Sequence, residues 1–148
     1  MANFTKNHSI GHQTLLSGGS AVSFADFAVE GDLEGAVAGD TIEICSIPRD
    51  ALVQNVHLVV TEAFVGATSP TFAVADDAGT PHEFIAATAV DALGTTGAAP
   101  PTQVQYEYSQ SGKLLVTLGG SGFDSATAGE VIVRMNYVQK GRSNEVHE

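Results

Sequence analysis

Tryptophan is absent, and the single cysteine, Cys45, has no partner, so an internal disulfide is excluded and redox compartment is left open. Basic residues are scarce: six Lys and Arg stand against seventeen Asp and Glu, for a net charge of −11. None lies between Lys6 and Arg49, or between Arg49 and Lys113. Nucleic-acid binding needs a basic stripe to neutralise phosphates, and this chain has none, so no nucleic-acid partner is expected. The same acidity repels an anionic membrane surface. No apolar run reaches the roughly 18 residues of a membrane helix. The N-terminus "MANFTKNHSIGHQTLLSGG" also lacks the apolar centre of a secretory signal. Synthesis in the cytoplasm, with no membrane partner, is the expectation.

Reactive constellations are equally sparse. His8 and His12 have the spacing of two ligands on one helical face, but Gly11 disfavours a helix there and no glutamate lies between them. Asp32, Glu34 and Asp40 could gather oxygen ligands, yet the spacing of a calcium loop is missing and a solvated acidic loop is the stronger reading. There is no G-x-S-x-G elbow for a serine nucleophile. The glycine-rich runs "SGGS" and "GGSG" lack the flanking strand, helix and lysine of a phosphate loop. Paired carboxylates for sugar hydrolysis are not legible from sequence, and ten aromatics without a tryptophan offer few platforms for a sugar ring. The expectation is a non-enzymatic protein with no metal and no cofactor.

What is present is small and β-prone. Ala, Gly, Ser, Thr and Val dominate the 148 residues, and Val and Thr suit a pleated, half-buried surface. One domain is the prior at this length. Strand signals recur between turn residues: 21–29, 41–47, 51–64, 70–76, 104–109, 113–118 and 131–140, with 82–90 open between strand and short helix. Gly112 sits between two of these runs and predicts a hairpin joining 104–109 to 113–118. No helical crossover unit is visible. The fold class is therefore all-β: an antiparallel two-sheet sandwich of about eight strands over residues 21–140, with an N-terminal arm at 1–20 and a polar tail at 141–148.

The segment "LVQNVHLVVTEAF" sharpens that picture. Alternation puts Val56, Leu58, Val60 and Phe64 on the core face and Asn55, His57, Val59 and Thr61 on the other. Glu62 shares the core parity but lies where the strand is expected to turn outward. On that parity His57 and Glu62 point to opposite faces and cannot share a site. Val59, with Ile132 and Val138 on the last strand, puts apolar side chains on an otherwise polar face, where a neighbouring subunit could meet them. In the arm, Phe4, Ile10, Leu15 and Leu16 are too apolar for a linker. The arm either docks on a partner or folds back on its own domain.

"GDTIEICSIPRDALVQNVHLVVTEAFVGATSPTFAVADDAG" and the closing "TAGEVIVRMNYV" resemble the capsid decoration, or cement, proteins of tailed bacteriophages, which have a jelly-roll-like sandwich. The likeness lies in a strand ending in "IP", an alternating strand ending near "TEAF", then "F-x-V-x-D" and a turn; it covers about residues 39–79 and 127–140. It implies a homotrimer on the outer surface of an icosahedral head, bridging major capsid proteins and resisting the pressure of packaged DNA. It also implies that the arm contacts the capsid, with Phe4, Lys6, His8, Ile10, His12, Leu15 and Leu16 as its side chains, although the arm itself matches no family motif. His57, Val59, Ile132, Arg134 and Val138 are then candidates for an inter-subunit face. A carbohydrate-binding sandwich on a head fibre or tail is the alternative expectation.

Overall fold

A computed structural model describes residues 3–5, 13–15, 21–30, 33, 35–96 and 107–139, the first three stretches by their backbone pairing. The strands are β1 (Asn3–Thr5), β2 (Gln13–Leu15), β3 (Ala21–Glu30), β4 (Thr41–Ile47), β5 (Ala51–Val65), β6 (Thr68–Asp76), β7 (Glu83–Ala89), β8 (Gly94–Thr96), β9 (Gly112–Ser121) and β10 (Ala128–Gln139). One short 3-10 turn, Phe123–Ser125, is the only helical element among the described residues. The strands form two five-stranded sheets, ordered β1-β4-β9-β6-β7 and β2-β3-β10-β5-β8. Strands β3 to β10 follow the jelly-roll order, so nearly every connection passes from one sheet to the other. All pairings are antiparallel except that of β1, which runs parallel to β4.

The expected all-β sandwich is therefore observed, and the run at 82–90 resolves as strand β7. The predicted hairpin is not. β9 is hydrogen-bonded to β4 on one side and β6 on the other, so neither of its edges is open to 104–109. Of that segment, Glu107 bridges instead to Leu52 of β5, and the Tyr108 N–H donates to the Ala51 carbonyl at 2.9 Å. Gly112 is the first residue of β9, opposite Ile47, and not the tip of a turn.

The core lies between the sheets. Ile42, Ile44, Phe72, Val74, Leu114 and Val116 face it from one side, and Val56, Leu58, Val131, Val133, Met135 and Tyr137 from the other. Strict alternation is broken wherever a strand carries an extra residue. In β5, Asn55 and Val53 sit opposite the consecutive residues Asn136 and Tyr137, so Gln54 bulges out and Ala51, Val53, Val56 and Leu58 are all buried despite their change of parity. A similar extra residue at Ile44 of β4 buries Cys45 beside it. Another in β7 turns both Phe84 and Ile85 inward.

The same effect corrects the expectation for Glu62. β5 runs on to Val65, but an irregularity between Val60 and Glu62 re-aims the chain there and leaves Glu62 exposed. It is the bulge and not the end of the strand that sends Glu62 outward. The opposite-faces argument consequently fails, and what keeps His57 and Glu62 apart is distance, about 16 Å at the usual rise along a strand.

Candidate interaction surfaces

Four connections meet at one end of the sandwich: β3 to β4, β5 to β6, β7 to β8 and β9 to β10. Beneath them Phe64, Phe72 and Phe123 form a cluster, with Phe64 edge-on to Phe72 at 5.2 Å and both other centroid distances 6.3 Å. The turns above it are knitted backbone to backbone. At Gly66 (φ 99°) a side chain would run into the Ser125 carbonyl, and at Gly120 (φ 92°) into the carbonyls of Thr68 and Ser69. The Thr127 N–H donates to the Val65 carbonyl at 2.9 Å. Across the strands that lead into this end, Glu130 stands directly opposite Glu62 on one side and Glu30 on the other. Asp40 closes the β3–β4 turn from a buried position, its carboxylate accepting the Val37 N–H at 3.0 Å. Asp40 is thus part of the turn's own hydrogen bonding, while Asp32 and Glu34, the other two candidate calcium ligands, lie outside the described residues.

The opposite end is closed by a buried carboxylate. Asp76, at the end of β6, accepts hydrogen bonds from the backbone N–H groups of His82 (2.7 Å) and Ala78 (3.2 Å) on Oδ1. Its Oδ2 accepts the Tyr108 hydroxyl at 2.7 Å and lies 2.6 Å from His82 Nδ1. An ionised carboxylate can only accept, so Nδ1 carries a proton. Burial works to raise the Asp76 pKa, but the bonds from Tyr108, from the His82 backbone and ring, and from Ala78 outweigh it and hold the carboxyl below its usual range. The Lys113 N–H donates to Asp77 Oδ1 at 2.8 Å, and the Lys113 ammonium meets Glu43 at 2.9 Å. The sequence reading missed this cluster, because its members lie 6 and 32 residues from Asp76. The only hint was the "F-x-V-x-D" ending followed by a turn.

The outer face of β5 and β10 carries cross-strand pairs: Val59 opposite Ile132, His57 opposite Arg134, and Asn55 opposite Asn136. Arg134 is exposed, while His57, Val59 and Ile132 are half-buried. β3 continues the rows, with Ala28, Asp26 and Phe24 at the matching register positions. Val138 pairs with Leu52 and Val22 through its backbone. The side-chain oxygens of Asn55 and Asn136 are buried with no hydrogen-bond partner among the described residues.

Of the arm residues singled out, Phe4 belongs to β1, opposite Ile42, and Leu15 to β2, opposite Ala21. The backbone of both segments thus extends one edge of each sheet. Lys6, His8, Ile10, His12 and Leu16 lie outside the described residues, as does the tail from 141. Burial, and then the nearby Glu43, pushes the Cys45 thiol up to about 12, so it remains protonated and unreactive. No group of three His, Cys, Asp or Glu side chains suited to a metal occurs among the described residues.

With this geometry the chain takes its place among jelly-roll sandwiches, and its structural neighbours narrow the class. It is similar to a chain in the capsid of Ralstonia phage GP4, with a TM-score of 0.59 and 21% identity over 81% of this chain and 84% of that one. It is similar to a chain of the cyanophage Pam1 capsid asymmetric unit, with a TM-score of 0.64 and 16% identity over 90% and 93%. A chain in the acidic stable capsid structure of Helicobacter pylori bacteriophage KHP30 gives 0.58 and 13% over 79% and 86%. No protein-family model and no curated protein matches the sequence. At these identities the likeness establishes a shared fold: the sandwich is one that occurs in phage capsid structures.

Proposed function

We propose that this chain is a structural protein of a tailed-phage virion that binds the outer surface of the icosahedral head as a homotrimer and cements neighbouring major capsid proteins. The observation that carries the reading is the match over 79–90% of the chain to chains in three phage capsid structures. The shares covered are nearly equal on both sides, so a sandwich of this size occurs in each of them as a chain of its own. The sequence resemblance over residues 39–79 and 127–140 supports the same role. A net charge of −11 favours the outer surface, since packaged DNA would repel it from the inner one. In this reading the outer face with His57, Val59, Ile132, Arg134 and Val138 packs against a neighbouring subunit, and the protein needs no catalytic step, cofactor or nucleic acid.

The mechanism is linkage. A protein that binds the mature shell and not its disassembled parts stabilises the shell by mass action, and three joined copies bind multivalently. The test is to add the purified protein to heads assembled without it. Saturable decoration, and DNA retained to higher temperature, are expected. Heads that stay bare, or that release DNA at an unchanged temperature, would refute the role. Light scattering reads the oligomer, and removal of residues 2–19, which takes away β1 and β2, is expected to weaken decoration; unchanged affinity would exclude the arm as a contact.

A further inference from the structure

We infer that the acidic end of the sandwich, where β5 hands over to β6 and β7 to β8, is the surface that docks on the shell, and that the patch it meets is basic with apolar side chains among its cations. The identity of that partner as shell protein rests on the function proposed above. The surface itself rests on separate observations. The large apolar side chains exposed among the described residues are Val37 (59%), on the β3–β4 connection, Val65 (55%), the last residue of β5, and Leu93 (70%), on the β7–β8 connection, and all three lie at this end. Scattered exposed apolars are ordinary, but their gathering at one end and, among the described residues, nowhere else is the pattern of an interaction site.

Charge specifies the partner. No Lys or Arg occurs from Arg49 to Lys113 or from Lys113 to Arg134, so the connections 65–68, 89–94 and 121–128 hold no cation. Exposed Glu62 and Asp91 and half-buried Glu130 stand around the apolar side chains. The register sets Glu130 opposite Glu62, and like charges directly opposite on neighbouring strands carry a cost. Cations on a partner would offset that cost on binding. A second copy docking end to end would worsen it, and an anionic lipid surface would be repelled, which leaves a basic protein surface. The turns are already fixed by the Gly66–Ser125 and Gly120–Ser69 backbone contacts, so little ordering entropy is lost on docking.

The test uses heads assembled without this chain and the full-length protein. Paired variants Val65→Ser with Leu93→Ser, and Glu62→Gln with Glu130→Gln, are each expected to bind roughly tenfold or more weakly, while Arg49→Gln at the opposite end binds as wild type. These side chains are partly or largely exposed, and a thermal melt checks that each variant is folded. Wild-type affinity is expected to fall steeply with added salt. Zero-length carbodiimide coupling reads the contact independently, by joining Glu62, Asp91 or Glu130 to lysines of the shell. Wild-type affinity in both paired variants, or coupling through Glu43, Glu83 and Glu107 alone, overturns the docking surface while leaving the virion role standing. Wild-type protein that fails to bind heads removes the role, and the docking surface with it.

Discussion

The two ends of the sandwich are closed in opposite ways. At one, a buried carboxylate draws in a histidine, a tyrosine and two backbone N–H groups, and charges of both signs lie around it. At the other, three phenylalanines fill the interior, glycine turns seal it, and the outside is left apolar and acidic. The first end satisfies the Asp76 carboxylate within the chain. The second carries a like-charge pair, Glu62 and Glu130, and leaves two valines and a leucine exposed. An end that is complete in itself serves the fold, and an end left incomplete serves something outside it.

The sharpest way to break the contrast is to remove Phe72 from the aromatic cluster. Phe72→Ala is expected to cost about 4 kcal/mol, read as a lower denaturation midpoint in urea at unchanged slope. A loss below about 1 kcal/mol would mean that the cluster is not what closes that end. Next is Asp76→Asn, expected to cost about 3 kcal/mol at neutral pH, because four donors, the buried Tyr108 hydroxyl among them, lose a charged acceptor. The folded pKa of Asp76 is depressed, so its contribution is present above the ordinary carboxylate value near 3.9 and is lost as pH falls through the lower folded value. Stability curves of wild type and variant should therefore converge only in strong acid; parallel curves down to that range would show that Asp76 is not the titrating group.

Gly66→Ala is a smaller lesion, about 2 kcal/mol, since it forces a left-handed conformation on alanine and drives a methyl group into the Ser125 carbonyl. Calorimetry should show a lowered Tm, and an unchanged Tm would mean that the turn relaxes freely. The smallest effect has the opposite sign. Glu130→Gln removes the like charge opposite Glu62 and should stabilise the isolated protein by about 0.5 kcal/mol, an upward shift of one or two degrees. A variant less stable than wild type would show that the pair is not repulsive.

Much of the fold was legible because period-two alternation is a local signal. Thr41–Ile47 was read to the residue, and Ala51–Val65 and Ala128–Gln139 to within three. The signal failed where one extra residue shifted a strand's phase. Ile44 and Cys45, or Phe84 and Ile85, point the same way only because the partner strand fixes the pairing, and no local pattern records that. The false hairpin has the same origin: Gly112 looks like a turn until β4 and β6 are seen to occupy both edges of β9. Asp76 was hidden for a further reason, since Tyr108 is brought to it by the fold and not by the sequence. The chemistry that keeps Cys45 inert was likewise invisible until the bulge beside it buried the thiol.

The position of β10 has a consequence for how the protein is made. It lies between β3 and β5 at the centre of its sheet, yet along the chain it is the last of the described strands. On the ribosome, β3 and β5 must wait with their facing edges open until residues 128–139 emerge, and a sheet assembled from such distant segments closes slowly. Until that segment arrives, the open edges of β3 and β5 leave the nascent chain at its most vulnerable to mispairing with its neighbours.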